Sequence, residues 1–129
     1  MPTVAEFYRG LPSHFAEMKA KFNRNCVHVL SIGAFVNHFQ EVDPELKEMT
    51  ITFDRPVVPE SYSINYGSDG KDHYPIVGRP EFFDHNKSIR LRLQLKPGWH
   101  YSFVLTGLTF RAPDGFPLAP YSVDFQTRY

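Results

Sequence analysis

Six histidines, at positions 14, 28, 38, 73, 85 and 100, have the widest chemical range in this chain, because an imidazole near neutral pH can move a proton or ligate a metal. No two of them stand four apart on a helical stretch, the spacing that turns two ring nitrogens toward one zinc ion. The stretch most like a metal loop is Ser68-Asp69-Gly70-Lys71-Asp72-His73, whose carboxylates suit calcium. It lacks the alternating ligands and closing glutamate of an EF-hand, and Asp with Gly is also the ordinary composition of a solvated turn. Ser61 and Ser63 are hydroxyl nucleophiles by type, yet nothing in the sequence sets a base beside either. Cys26, the single cysteine, falls in a β-rich run and reads as a small buried hydrophobe. There is no phosphate-cradling glycine loop and no nucleophile elbow. These residues give no catalytic set, no metal set and no cofactor, so the expectation is a chain that is not an enzyme.

Aromatic side chains beside turns are the better candidates for function. Tyr62, Tyr66, Tyr74, Phe110, Phe116 and Tyr121 all lie in or next to loop signals, where exposed rings stack on sugar or seat a protein partner. The plainer alternative, favoured because exposed apolar patches on monomers are usually small, is that these rings fold back as satellite core.

The elements that would position these residues read as strands. Ile89, Leu91, Leu93 and Leu95 alternate with Arg90, Arg92, Gln94 and Lys96, the period of two that buries one face of a strand. Tyr101, Phe103 and Leu105 alternate with Ser102, Val104 and Thr106 in the same way. Between them, Pro97-Gly98 makes a break: proline fixes φ and glycine accepts a positive φ. The two strands are expected to be adjacent and antiparallel. Further strands are expected over Cys26 to Ile32, Met49 to Phe53, Ser61 to Tyr66, Pro75 to Phe83 and Tyr121 to Phe125. Asp84-His85-Asn86-Lys87 reads as a hairpin-like turn, and the proline-interrupted stretch before it suits a sheet edge. Gly33 to Pro44 and Gly107 to Pro120 read as long connections. About seven strands at roughly ten-residue spacing favour an all-β sandwich or barrel.

Residues 1–25 differ from the rest. Ser13 as a cap, with Phe15, Met18 and Phe22 at three- and four-residue spacing, predicts amphipathic helix from Ser13 to Asn23, preceded by a less regular segment around Val4 to Tyr8. Two units are therefore expected, a helical segment or linker over 1–25 and a β-sandwich over 26–129. Fourteen basic residues balance fourteen acidic ones, so no net attraction to nucleic acid or an anionic membrane is expected. The first 25 residues carry charges without an apolar run and do not read as a signal peptide, and no stretch reads as a membrane span.

Five pieces stand in order along the chain: Val42-Asp43-Pro44-Glu45-Leu46, Met49-Thr50-Ile51-Thr52-Phe53-Asp54-Arg55-Pro56, Leu95-Lys96-Pro97-Gly98-Trp99-His100-Tyr101, Gly115-Phe116-Pro117-Leu118 and Val123-Asp124-Phe125-Gln126-Thr127. Together they resemble a known family, the bacterial immunoglobulin-like domains that occur as accessory modules on envelope and secreted proteins. Family members often enter through a Pro-Ala-Asn-Gly-type turn, and this chain has Gly33 to Gln40 there instead. Tyr101, three residues past Gly98, occupies the place of the tyrosine corner, whose hydroxyl bonds upstream backbone while its ring fills the core. The resemblance implies an Ig-like β-sandwich of about seven antiparallel strands and an envelope or extracellular setting. It supplies no catalytic residues. The resulting expectation is a non-catalytic spacer or protein-interaction module, its partner another protein or an upstream domain of the same polypeptide. The alternatives are a carbohydrate-binding module using the loop aromatics, which would take a glycan, or the accessory domain of a hydrolase.

Overall fold

The computed structural model describes residues 18–22 and 24–129. Residues 18–22 and 24–25 are helical, as expected for the end of the amphipathic segment; Val4 to Tyr8 and the part of the helix from Ser13 to Glu17 lie outside the described residues. Seven strands follow: β1 (Val29–Gly33), β2 (Glu48–Phe53), β3 (Ile64–Tyr66), β4 (Ile76–Phe83), β5 (Ser88–Leu93), β6 (His100–Leu105) and β7 (Tyr121–Gln126). They form two antiparallel sheets, one ordered β1-β2-β5-β4 and the other β3-β6-β7. That is the strand order of a seven-stranded, constant-type immunoglobulin sandwich.

Alternation produces the core. Met49, Ile51 and Phe53 of β2 and Ile89, Leu91 and Leu93 of β5 are buried, and Met49 faces Leu91 and Ile51 faces Ile89 across the ladder. From the second sheet come Tyr101, Phe103 and Leu105 of β6 with Val123 and Phe125 of β7. Phe125 packs on Phe35 at 4.6 Å and on Tyr101 at 5.4 Å between ring centroids, and Phe53 packs on Phe110 at 5.7 Å. The structure carries neither hallmark of antibody domains, the inter-sheet disulfide and the core tryptophan: Cys26 is free and buried, and the single tryptophan, Trp99, sits at the corner.

The corner corrects one expectation and meets another. β5 and β6 are not adjacent strands; the chain between them crosses from one sheet to the other, because β5 already has β2 and β4 as neighbours. The tyrosine corner is present. The Lys96 N–H donates to Tyr101 Oη at 2.8 Å, and Gly98 holds φ +63°. Thr127, fully buried, ties this corner to the C-terminal end: its hydroxyl donates to the Lys96 carbonyl at 2.6 Å and accepts from the Trp99 N–H at 2.9 Å.

The first strand begins later than Cys26. Val27 bridges Leu118 instead of β2, its N–H donating to the Pro117 carbonyl at 3.0 Å, so its buried side chain closes the end of the core. The connection from Gly33 to Pro44 is pinned along β7. His38 N–H donates to the Asp124 carbonyl at 2.8 Å, Gln126 N–H to Phe39 at 2.9 Å, and Val42 bridges Thr127 in parallel. It covers an edge that would otherwise invite pairing with another chain. On β4 the edge is broken by an irregularity between Val77 and Glu81, with Gly78 at φ +72° and Pro80 inside it, as the proline signal predicted. Asp84, His85 and Asn86 all take positive φ in the turn into β5.

At the junction with the helix, Arg55 donates to the Asn25 carbonyl at 2.8 Å and pairs with Asp114 at 2.6 Å. That guanidinium holds the Asp114 carboxyl below the usual carboxylate range.

Candidate functional site

Two of the six aromatic residues singled out above, Tyr66 and Tyr74, meet at the open edge of β3, and a third, Tyr62, stands just before that strand. Tyr66 ends that strand, and Tyr74 follows the short 3-10 turn Lys71–His73, which returns the chain to the same edge. Their rings meet edge to face, 5.1 Å apart at 79°. Tyr66 is 53% exposed, Tyr74 is half-buried beneath it, and an open hollow of about 510 Å³ is lined by Ile64, Asn65, Tyr66 and Tyr74. Tyr62, half-buried, leans on Phe110 with centroids 6.5 Å apart. Burial pushes the Tyr74 hydroxyl above its ordinary range, and the phenols of Tyr66 and Tyr62 add to the shift because their negative charges would oppose a third.

The turn carrying Tyr74 is clamped from behind. Trp99 Nε1–H donates to the Asp72 carbonyl at 3.1 Å, and the His73 ring lies parallel to the indole at 4.7 Å and 5°. His73 Nδ1 lies 2.7 Å from the His100 carbonyl, within hydrogen-bond distance, and the Lys96 ammonium sits 3.5 Å from the centre of the indole, a cation–π contact. A short helical turn is thus held by a corner from the opposite end of the hairpin sequence. No local signal announces this clamp, since its partners stand 27 residues apart.

The other three candidates go elsewhere. Phe110 is fully enclosed in the core and offers no surface, as the satellite-core reading had it. Phe116 is half-buried with its ring 5.9 Å from Phe22 of the helix. Tyr121, on β7, accepts a hydrogen bond from the Asn37 amide at 3.4 Å.

Sequence reasoning did not foresee a second, polar hollow of about 430 Å³ on the outer face of β6 and β7. One wall is the loop 67–69, where Asp69 pairs with His100 at 3.1 Å and accepts from Ser102 Oγ at 3.3 Å. Opposite lies Asp124, paired with His38 at 2.7 Å. A third such pair, His28 with Asp54 at 3.1 Å, stands apart on the first sheet. Asp69 of the calcium-like stretch is thereby engaged by side chains, and among the described residues no three His, Cys, Asp or Glu side chains gather as a metal set. Ser102 Oγ donates to the Asp69 carboxylate, whose same oxygen pairs with His100. Burial raises the Cys26 thiol above its ordinary range, away from the reactive thiolate.

The tyrosine geometry has a measurable consequence. Tyr74 and Tyr101 both have pKa values raised by burial, so the folded state prefers the neutral phenol. Their contribution to stability is complete below the unfolded tyrosine value of about 10 and is lost as pH rises through the folded values. A spectrophotometric titration of tyrosinate should show a late component. Tyr74→Phe and Tyr101→Phe should each remove part of it, and an unchanged curve in both variants would contradict the burial.

Among the described residues no helix is long and apolar enough to cross a membrane. No protein-family model matches the chain, and no curated protein matches its sequence. Among the solved structures that match the chain are two of surface layer proteins. Against surface layer protein SbsC, domains 1-6, the TM-score is 0.50 at 20% identity, covering 95% of this chain and 17% of that one. Against the S-layer protein rSbsC(31-844) the TM-score is 0.48 at 16% identity, again over 95% of this chain and 17% of the other. This chain therefore spans about 17% of the length of the surface layer proteins it resembles.

Proposed function

We propose that this chain is a non-catalytic, Ig-like sandwich module of a larger bacterial polypeptide, serving as a spacer or protein-interaction domain, with residues 26–129 as the sandwich and 1–25 as the segment that leads into it. The observation that carries this reading is the sandwich itself, a closed seven-strand unit whose fold likeness occupies one domain-sized part of a much longer surface layer protein. The edges fit a unit that stands beside neighbours without fusing to them. β7 is covered by the 37–42 segment, β4 is broken by Gly78 and Pro80, and β3 is three residues long. Asp69, Asp124 and Ser102 sit in polar contacts that brace loops on the second sheet, which suits a mechanical role. The envelope or extracellular setting belongs to the same proposal and rests on the family resemblance.

An immunoblot of the source cells with antibodies raised to residues 26–129 tests it. The expected band runs at several times the 14.9 kDa of this chain. A single band at the mass of the chain alone would overturn the module reading.

A further inference from the structure

We infer that the hollow at the β3 edge is a saccharide-binding site, with the exposed ring of Tyr66 as the stacking platform. Four observations point to a neutral, hydroxyl-rich ligand rather than to another class. First, Tyr66 and Tyr74 meet edge to face at 79°, so they present a floor and a wall and not two parallel ridges. The floor is 53% exposed, enough to take the C–H face of one sugar ring, while the phenol hydroxyls supply donors and acceptors at its rim. Second, no charged side chain lines the hollow, which disfavours an ionic ligand. Third, its volume of about 510 Å³ falls in the range of small-molecule sites. Fourth, the wall is rigid: Tyr74 follows a turn held by the Trp99, His73 and Lys96 stack, so little ordering is left for the ligand to impose. An extended peptide adding to the edge is the weaker fit, because β3 offers a ladder of three residues.

The site is independent of the module's place in a longer chain, so mass on the blot and ligand titration answer separately. The test is a titration of the full chain with cellotetraose, chitotetraose and maltotetraose, followed by backbone amide shifts in nuclear magnetic resonance. A proline-rich decapeptide is titrated in parallel. The expected result is that at least one oligosaccharide shifts Asn65, Tyr66 and Tyr74 with a dissociation constant in the millimolar range or tighter. Tyr66→Ala should weaken it by about tenfold, a loss of about 1.4 kcal/mol. Val36→Ala, 76% exposed near the opposite edge of that sheet, should leave it unchanged. Tyr66 is exposed, so the variant should keep the dispersed spectrum of the folded chain. The proposal is overturned if no oligosaccharide moves these amides, if only the peptide does, or if binding survives Tyr66→Ala at full strength.

Discussion

Phe125→Ala is expected to destabilise the fold by about 3 to 5 kcal/mol, the range for emptying a buried aromatic site. Phe125 is fully buried, on β7, with Tyr101 and Phe35 against its ring at 5.4 and 4.6 Å. Three structural devices converge on it: the tyrosine corner, the connection that seals the β7 edge, and the inner face of the second sheet. Its removal leaves a cavity that Tyr101 cannot collapse into without giving up the Lys96 N–H at 2.8 Å. β7 is held by its ladder with β6 on one side and by backbone bonds from the 37–42 connection on the other, so relaxation should be partial and the loss should lie in the upper half of that range. Urea denaturation followed by Trp99 fluorescence measures it. A loss below about 1 kcal/mol would mean that the two sheets pack less closely than the ring contacts indicate.

Gly67→Ala should cost about 3 kcal/mol, the upper end of what overpacking does. A Cβ at this position would fall against Ser102 Oγ and 2.6 Å from Ser102 Cβ, on a strand that cannot retreat because Tyr101 and Phe103 on either side are buried. The backbone torsion is not the issue; close approach is. The loop 67–69 must lift, taking with it Asp69 from His100 and Ser102, and loosening the path that brings Tyr74 back to Tyr66. Ser102→Gly in the same chain removes both clashing atoms and should recover most of the loss, less the roughly 1 kcal/mol a glycine costs in a strand. Thermal unfolding of the single and double variants tests it. If Ser102→Gly fails to rescue, steric contact with Ser102 is not the cause.

Much of the fold was legible in the chain because the code for strands is local. Ile89 to Leu93 and Tyr101 to Leu105 alternate, and a period of two can bury only one side. Pro80 foretold a broken edge, since proline cannot donate to a ladder, and Gly98 foretold a positive φ. Strand β1 starts at Val29 although the chain is β-rich from Cys26, because the partner of Val27 is Leu118, on a loop whose position composition does not encode.

Of the candidate site, the residue types were legible and the grouping was not. Six aromatic residues beside turns look alike in sequence, and folding sent Phe110 into the core with Tyr62 leaning on it, Phe116 and Tyr121 to separate contacts, and Tyr66 and Tyr74 to one edge.

Strand period and turn chemistry act over a few neighbouring residues, and they made this chain all-β with a break at Pro97-Gly98 followed by Tyr101. Packing put β5 and β6 into different sheets instead of pairing them, brought Asp69 to His100 and set Tyr66 against Tyr74. Those outcomes depend on which sheet each strand joins. That choice is made by packing the two buried faces against each other, and no stretch of chain contains both faces.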